Sequence, residues 1–235
     1  MTAEEVLAEL ESLGTEQTKK TFLRHGATEP MFGVKIGDMK PIQKRIKRDH
    51  QLSLDLFSSG VGDAQYLAGL IADPPAMTKA QLKAWAKAAT WQMVREYVVA
   101  GVAAESRFAV ELAEEWIASK KEEIATIGWA TYSHFVSVAP DDQLDLDRLR
   151  DLLKHVGDDI HEAANRTRYV MNGFVISVGS HVKPLLKEAK AAAKKIGAVS
   201  VNVGDTACKV PLATEYIAKV EKAGRVGKKR ASAMC

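Results

Sequence analysis

Apolar positions recur at helical spacing along almost the whole chain, and glycine, proline or a capping residue interrupts them at short intervals. The first two predicted helices cover 4–13 and 16–25, with Gly14 and Gly26 as C-terminal cap glycines. A third has two unlike faces. Met39, Ile42 and Ile46 fall on one side, while Lys40, Lys44, Lys47 and Arg48 fall on the other. Asp38 is the expected N-cap of this helix, and Pro41 then sits in its first turn, where a missing N–H leaves no intrahelical bond unmade. Ser53 is expected to cap a short helix ending at Ser59, and 62–72 reads as the next. Thr78 with Gln81 forms a capping box for 79–89.

Further helices are expected at 91–100, 107–119, 121–138, 144–156, 163–180, 184–196 and 211–223. Only Val199, Val201 and Val203 alternate as a strand would, and one strand makes no sheet. About a dozen helices joined by short loops, pairing on the order of every 40 residues, fit HEAT-like units. The expectation is therefore an all-α fold of HEAT-like helical repeats forming a curved α-solenoid, with a compact orthogonal bundle as the competing arrangement. Residues 1–224 would make one domain, and 225–235 a basic, flexible tail.

Charge sharpens this picture. The 235-residue chain has a net charge of only +3, yet its bases are gathered in two places. Between Lys19 and His50 nine Lys or Arg face three acids, whereas residues 1–18 carry five Glu and no base. From Ile217 onward there are six bases and one acid. Segregated sign points to a polyanionic partner more than to solubility alone. On the third helix the cations stand about 5–6 Å apart, one turn per step, which is of the order of phosphate spacing. Lys35, Lys40, Lys44, Arg45, Lys47 and Arg48 are accordingly candidate DNA contacts. Arg166, Arg168, Asn172 and His181 form a second set, and Lys228, Lys229 and Arg230 a third.

Metal and cofactor chemistry find little footing. Cys208 and Cys235 have no metal-ligand spacing, and the six histidines show no pair with a third partner. No P-loop, zinc-protease or nucleophile-elbow motif is present. A reduced, cytoplasmic setting is expected, beside the nucleoid if the source is bacterial. No stretch of 18 apolar residues suggests a membrane span.

The run His25-Gly26-Ala27 through Phe32-Gly33-Val34-Lys35 and Ile36-Gly37-Asp38-Met39-Lys40 resembles the opening of the DNA alkylation repair proteins related to AlkD. The resemblance resumes in 168–176 and 201–208, and ends in the basic, cysteine-terminated tail. It implies a duplex-DNA partner, alkylated DNA included, and a glycosylase that releases cationic alkylpurines such as 3-methyladenine or 7-methylguanine without a cofactor. In such chemistry a carboxylate stabilises the cationic sugar and tryptophan faces attract the charged base. Carried onto this chain, Trp91 is the first family tryptophan. The carboxylate falls at Glu96, because Arg95 stands four residues after Trp91. Trp129 would be a second aromatic wall, with Tyr132 near the family arginine and Phe174 at the last aromatic position. The other function expected is a non-catalytic helical-repeat module that recognises DNA or a protein.

Overall fold

The structure, a computed structural model, describes residues 1–204 and 206–234. Asp205, within the 201–208 motif, and the terminal Cys235 lie outside the described residues. Thirteen α-helices and no strand are present among the described residues. The chain divides into two compact units, Met1–Phe108 and Ala109–Asn202, with Cys208–Ala233 belonging to the second. The described parts of Val203–Ala207 and Met234 belong to the first.

The first unit contains α1 (Ala3–Leu13), α2 (Glu16–Arg24), α3 (Ile36–Ile46), α4 (His50–Ser58), α5 (Gly62–Ile71), α6 (Lys79–Ala88) and α7 (Ala100–Ala104). Every residue of α5 is buried, so this helix is the unit's core. Its two strongly polar side chains are both satisfied. Gln65 accepts from the Thr90 amide and hydroxyl and donates to the Ala88 carbonyl. Asp63 receives three backbone amides described below. Phe57 of α4 stacks on Trp85 of α6 at 4.0 Å and 7°, closing the apolar layer beside it.

The second unit contains α8 (Ala109–Ile117), α9 (Glu122–Val138), α10 (Leu146–Asp159), α11 (Asn165–His181), α12 (Leu186–Ile196) and α13 (Ala213–Lys222). The two longest helices, α9 and α11, carry its core. Gly179 of α11 allows α13 and α12 to close on it, because a Cβ there would stand 2.6 Å from Ile217 and 3.3 Å from Ala189.

Several local readings need correction. Helix α3 starts at Ile36 with Lys35 as N-cap and no side-chain cap. Asp38 therefore lies in the first turn, where its carboxylate still meets the positive end of the helix dipole. Pro41 falls inside the helix. Helix α4 is capped by Asp49, whose carboxylate accepts from the Leu52 amide, four residues before the expected cap. Ser53 is buried and donates to the His50 carbonyl instead. Gly14 caps α1 as expected, its amide donating to the Leu10 and Glu11 carbonyls, but with φ −65 it does so in extended backbone. It is glycine because a Cβ would stand 2.4 Å from the Phe32 carbonyl oxygen. Residues 199–203 form no ladder. The capping box of Thr78 and Gln81 forms as expected, and a second one joins Thr2 and Glu5.

Lys47, closing α3, has φ 65 and ψ −107. Among non-glycine residues such a conformation is sterically costly. Lys47→Gly is expected to raise the unfolding free energy by about 1 kcal/mol in urea denaturation. A loss of stability would mean that the lysine stem makes contacts outweighing that strain.

Candidate functional site

In the first unit, Trp91 is 5% exposed and its indole N–H donates to the His25 carbonyl at 3.0 Å. The Gln92 amide donates to the same oxygen, and Phe22 of α2 leans on the indole at 4.9 Å. Trp91 thus fastens the end of α2 to the start of the next helical segment. The helix predicted over 91–100 is wider than expected, because Val94–Val99 is a π-helix that runs into α7. Glu96 lies on it, 4% exposed.

Helix α3 presents its cations as the amphipathic pattern requires, with Met39 and Ile42 buried and the bases exposed. The six candidates separate into two kinds. Arg45 grips Glu9 through two hydrogen bonds of 2.6 and 2.5 Å, and Arg48 lies 3.7 Å from Asp73. Lys35, Lys40, Lys44 and Lys47 have no acidic partner among the described residues. Helix α2 carries a cleft of about 530 Å³ lined by Gln17, Lys20, Thr21, Leu23 and Arg24. Lys20 and Arg24 are exposed and without an acidic partner among the described residues, whereas Lys19 is bridged to Glu29 at 2.9 Å. The spacing i, i+3, i+4, i+7 of the polar four was visible in the sequence as a stripe. Taken as part of a charge run, it carried no site assignment.

The residue that sets α3 in place is one the sequence reading missed. Asp63, 2% exposed in the first turn of α5, accepts from the amides of Phe32 at 2.6 Å, Gly33 at 3.2 Å and Val34 at 2.7 Å. Gly33 has φ +83, and a Cβ there would meet the Lys19 amide nitrogen at 2.5 Å. Only glycine lets this loop lie against α2 while its amides converge on the carboxylate.

In the second unit, Trp129 is 2% exposed, stacked on His155 at 5.6 Å and met edge-on by Phe174 at 5.3 Å. Tyr132 is 3% exposed, and its hydroxyl donates to Glu114 Oε1 at 2.5 Å. Arg148 closes the group, with Nε on Glu114 Oε1 at 2.7 Å and Nη2 on Oε2 at 2.6 Å. The Arg148 hydrogen bond holds the Glu114 carboxyl below its ordinary range, against the burial that would raise it. Burial, then the Glu114 carboxylate, pushes the Tyr132 phenol well up. The group is a closed brace across α8, α9 and α10. Trp91 and Glu96 belong to the first unit, Trp129 and Tyr132 to the second, and all four sit in packed interiors.

Along α11 the polar candidates are also mostly engaged. The Arg166 guanidinium lies 4.1 Å over the Tyr169 ring. Arg168 is half-buried, with Nη2 3.5 Å from Asn165 Oδ1. Asn172 has no exposed surface, and its amide donates to the Pro211 carbonyl, which withdraws it from solvent. His181 meets the C-terminal segment, its Nδ1 2.7 Å from the Lys228 carbonyl. Burial, and then the nearby Lys229, Arg230 and Arg225, lowers its pKa.

The segment set apart in sequence as a tail packs on the second unit. Gly227 donates its amide to Ser180, Arg230 donates its amide to Ser137, and Lys229 Nζ reaches the Val136 carbonyl and Asp141 at 2.9 Å each. These donors satisfy carbonyls in the last turns of α9 and α11 that the helices leave unpaired. Lys228 and Arg225 remain exposed, without acidic partners among the described residues. The fold thus brings His181 and the 228–230 cations, far apart in sequence, onto one patch. Among the described residues no group of three or more His, Cys, Asp or Glu could hold a metal ion. No helix among them is long and apolar enough to cross a membrane.

Comparison with known proteins places this geometry. The family model described as DNA alkylation repair enzyme matches residues 6–202. An uncharacterised protein of Listeria innocua is 34% identical over 225 residues, covering 93% of this chain and 97% of the relative. One from Listeria monocytogenes is 35% identical over the same extent. A solved structure is similar at a TM-score of 0.90, with 39% identity and 98% of each chain covered. It is described as a new family of proteins related to the HEAT-like repeat DNA glycosylases with affinity for branched DNA structures. The all-α, HEAT-like repeat architecture read from the sequence agrees with that similarity.

Proposed function

The chain belongs to the DNA alkylation repair enzyme family, and we propose that within it the protein binds branched DNA through exposed lysines and excises no base. One contrast supports this reading. The four side chains that base excision would use are each no more than 5% exposed, while Lys35, Lys40, Lys44 and Lys47 stand in solvent without acidic partners among the described residues. Excision of a cationic base needs a carboxylate facing the sugar and aromatic faces open to the base. Phosphate binding needs only unneutralised cations on a rigid support, which α3 offers. Lys20 and Arg24 on α2 are further exposed cations of the same unit. In the second unit Arg225 and Lys228 offer another. Branched DNA with duplex arms, alkylated or not, is the partner in this reading, and the DNA-containing compartment its workplace.

The test compares a four-way junction with a linear duplex of equal length across a salt series. At least tenfold tighter junction binding is expected, with steep salt dependence. Lys40→Ala combined with Lys44→Ala is expected to lower the slope of log affinity against log salt by about two, one per lost phosphate contact. Equal, salt-insensitive affinity for both DNAs would rule the reading out.

A second reading, excision of cationic alkylpurines with Glu96 as the carboxylate, has one observation in its favour. Glu96 is a buried carboxylate on a π-helical turn, a feature that gathers at functional sites. Free-base release from methylated duplex DNA that disappears in Glu96→Gln would establish it. Absence of release from the wild type, with junction binding intact, leaves the binding reading alone.

A further inference from the structure

Helix α2 buries none of its residues, and its outward side carries the cleft of about 530 Å³. Gln17, Lys20, Thr21 and Arg24 follow one another at i, i+3, i+4 and i+7, so they share one face of the helix. Leu23 borders that face and lines the same cleft.

These groups are open to a ligand. Lys20 and Arg24 have no acidic partner, and the Gln17 side-chain amide makes no hydrogen bond, among the described residues. The Thr21 hydroxyl donates to the Gln17 carbonyl at 3.0 Å and keeps its own lone pairs as acceptors. Leu23 is 37% exposed, so a flat apolar partner would remove a large side chain from water. The row on α3 differs in kind. That helix exposes no large apolar side chain, so a strand lying on its lysines gains charge contacts alone. In the α2 cleft two free cations, a free carboxamide and an apolar face occur together.

A paired base hides its faces in the stack and its hydrogen-bonding edge in the pair. An unpaired nucleotide offers both beside its phosphates. A carboxamide both donates and accepts, as such an edge requires. Lys20 and Arg24 stand one helical turn apart, about 5–6 Å, which suits the phosphates on either side of one nucleotide.

We propose that the α2 cleft binds an unpaired nucleotide of a branched DNA, its base on Leu23, its edge toward Gln17 and its flanking phosphates on Lys20 and Arg24. The inference rests on the DNA-binding reading and adds which part of the branch is recognised.

The test uses the full chain and two DNAs with the same duplex arms, a fork with oligothymidine strands beyond its branch and a four-way junction paired throughout. At least fivefold tighter binding of the fork is expected, and 2-aminopurine in the unpaired strand beside the branch should change its emission on binding. Leu23→Ser combined with Gln17→Ala should remove the preference while junction affinity stays within twofold. Lys20→Ala combined with Arg24→Ala should lower the salt slope for the fork by about 1.4, the single-strand value for two phosphates. All four side chains are exposed, so the fold should survive, and circular dichroism verifies this. Equal affinity for fork and junction, or a preference that survives in the Leu23 and Gln17 double variant, overturns this proposal and leaves the DNA-binding reading standing. Salt-insensitive binding of both DNAs, or no binding of either, overturns both.

Discussion

Asp63→Ala is expected to lower the unfolding free energy by about 3–5 kcal/mol, among the largest effects of any single substitution in the first unit. The carboxylate is buried and accepts three consecutive backbone amides, those of Phe32, Gly33 and Val34. Removing it leaves those donors in a place water reaches poorly, each costing roughly 1–3 kcal/mol if unsatisfied. Partial opening of the loop would recover some of that, which is why the estimate stays below the sum. Asp63→Asn keeps one accepting oxygen and should cost about half as much. Urea denaturation gives the magnitude, and amide hydrogen exchange gives the place. Protection at Phe32 and Val34 should collapse in the alanine variant before it does elsewhere in the unit. A loss below 1 kcal/mol would mean that the Thr15 amide, which donates to the Gly33 carbonyl, holds the loop unaided.

That loop leads directly into α3, so the same variant should weaken DNA binding even where the chain stays folded. Lys35, Lys40, Lys44 and Lys47 act as a row only while α3 has a fixed start. The motif Phe32-Gly33-Val34-Lys35, which carries the family resemblance, thereby acquires a physical meaning. Its glycine permits close approach to α2, and its amides meet Asp63.

Much of this was legible in sequence, and the failures have a common cause. Helical period, the Thr78 capping box and the two faces of α3 depend on residues within a few positions of one another, and these were read correctly. Gly14 was read correctly as a cap, but nothing local discloses that the Phe32 carbonyl lies against it and is the reason it must be glycine. Asp63 meets its amides 29 to 31 residues away, and no period announces that pairing. For Trp91 and Trp129, helical spacing alone does not distinguish an aromatic facing a ligand from one facing a core. The hydrogen bond from Trp91 to the His25 carbonyl spans 66 residues. Arg45 and Arg48 looked equivalent to their lysine neighbours until Glu9 and Asp73 appeared beside them.

The second large effect belongs to the brace in the second unit. Arg148→Met is expected to destabilise the protein by about 2 kcal/mol, because it strips Glu114 of both guanidinium hydrogen bonds and leaves only the Tyr132 hydroxyl. The figure is kept below that for a fully buried pair because the Arg148 side chain is 42% exposed, and solvent screens part of the interaction. The pH dependence has a definite sign. Glu114 has a lowered folded pKa, so its contribution is complete above the ordinary carboxylate value of about 4.3 and disappears as pH falls through the folded value. Tyr132 has a raised one, so its contribution is complete below the ordinary phenol value of about 10 and disappears as pH rises further. The brace is therefore at full strength between roughly pH 5 and 10. Thermal unfolding of wild type and Arg148→Met should differ most within that window and converge on the acid side. Curves that stay parallel down to pH 3 would show that the arginine acts by packing its stem, with no share from the charge.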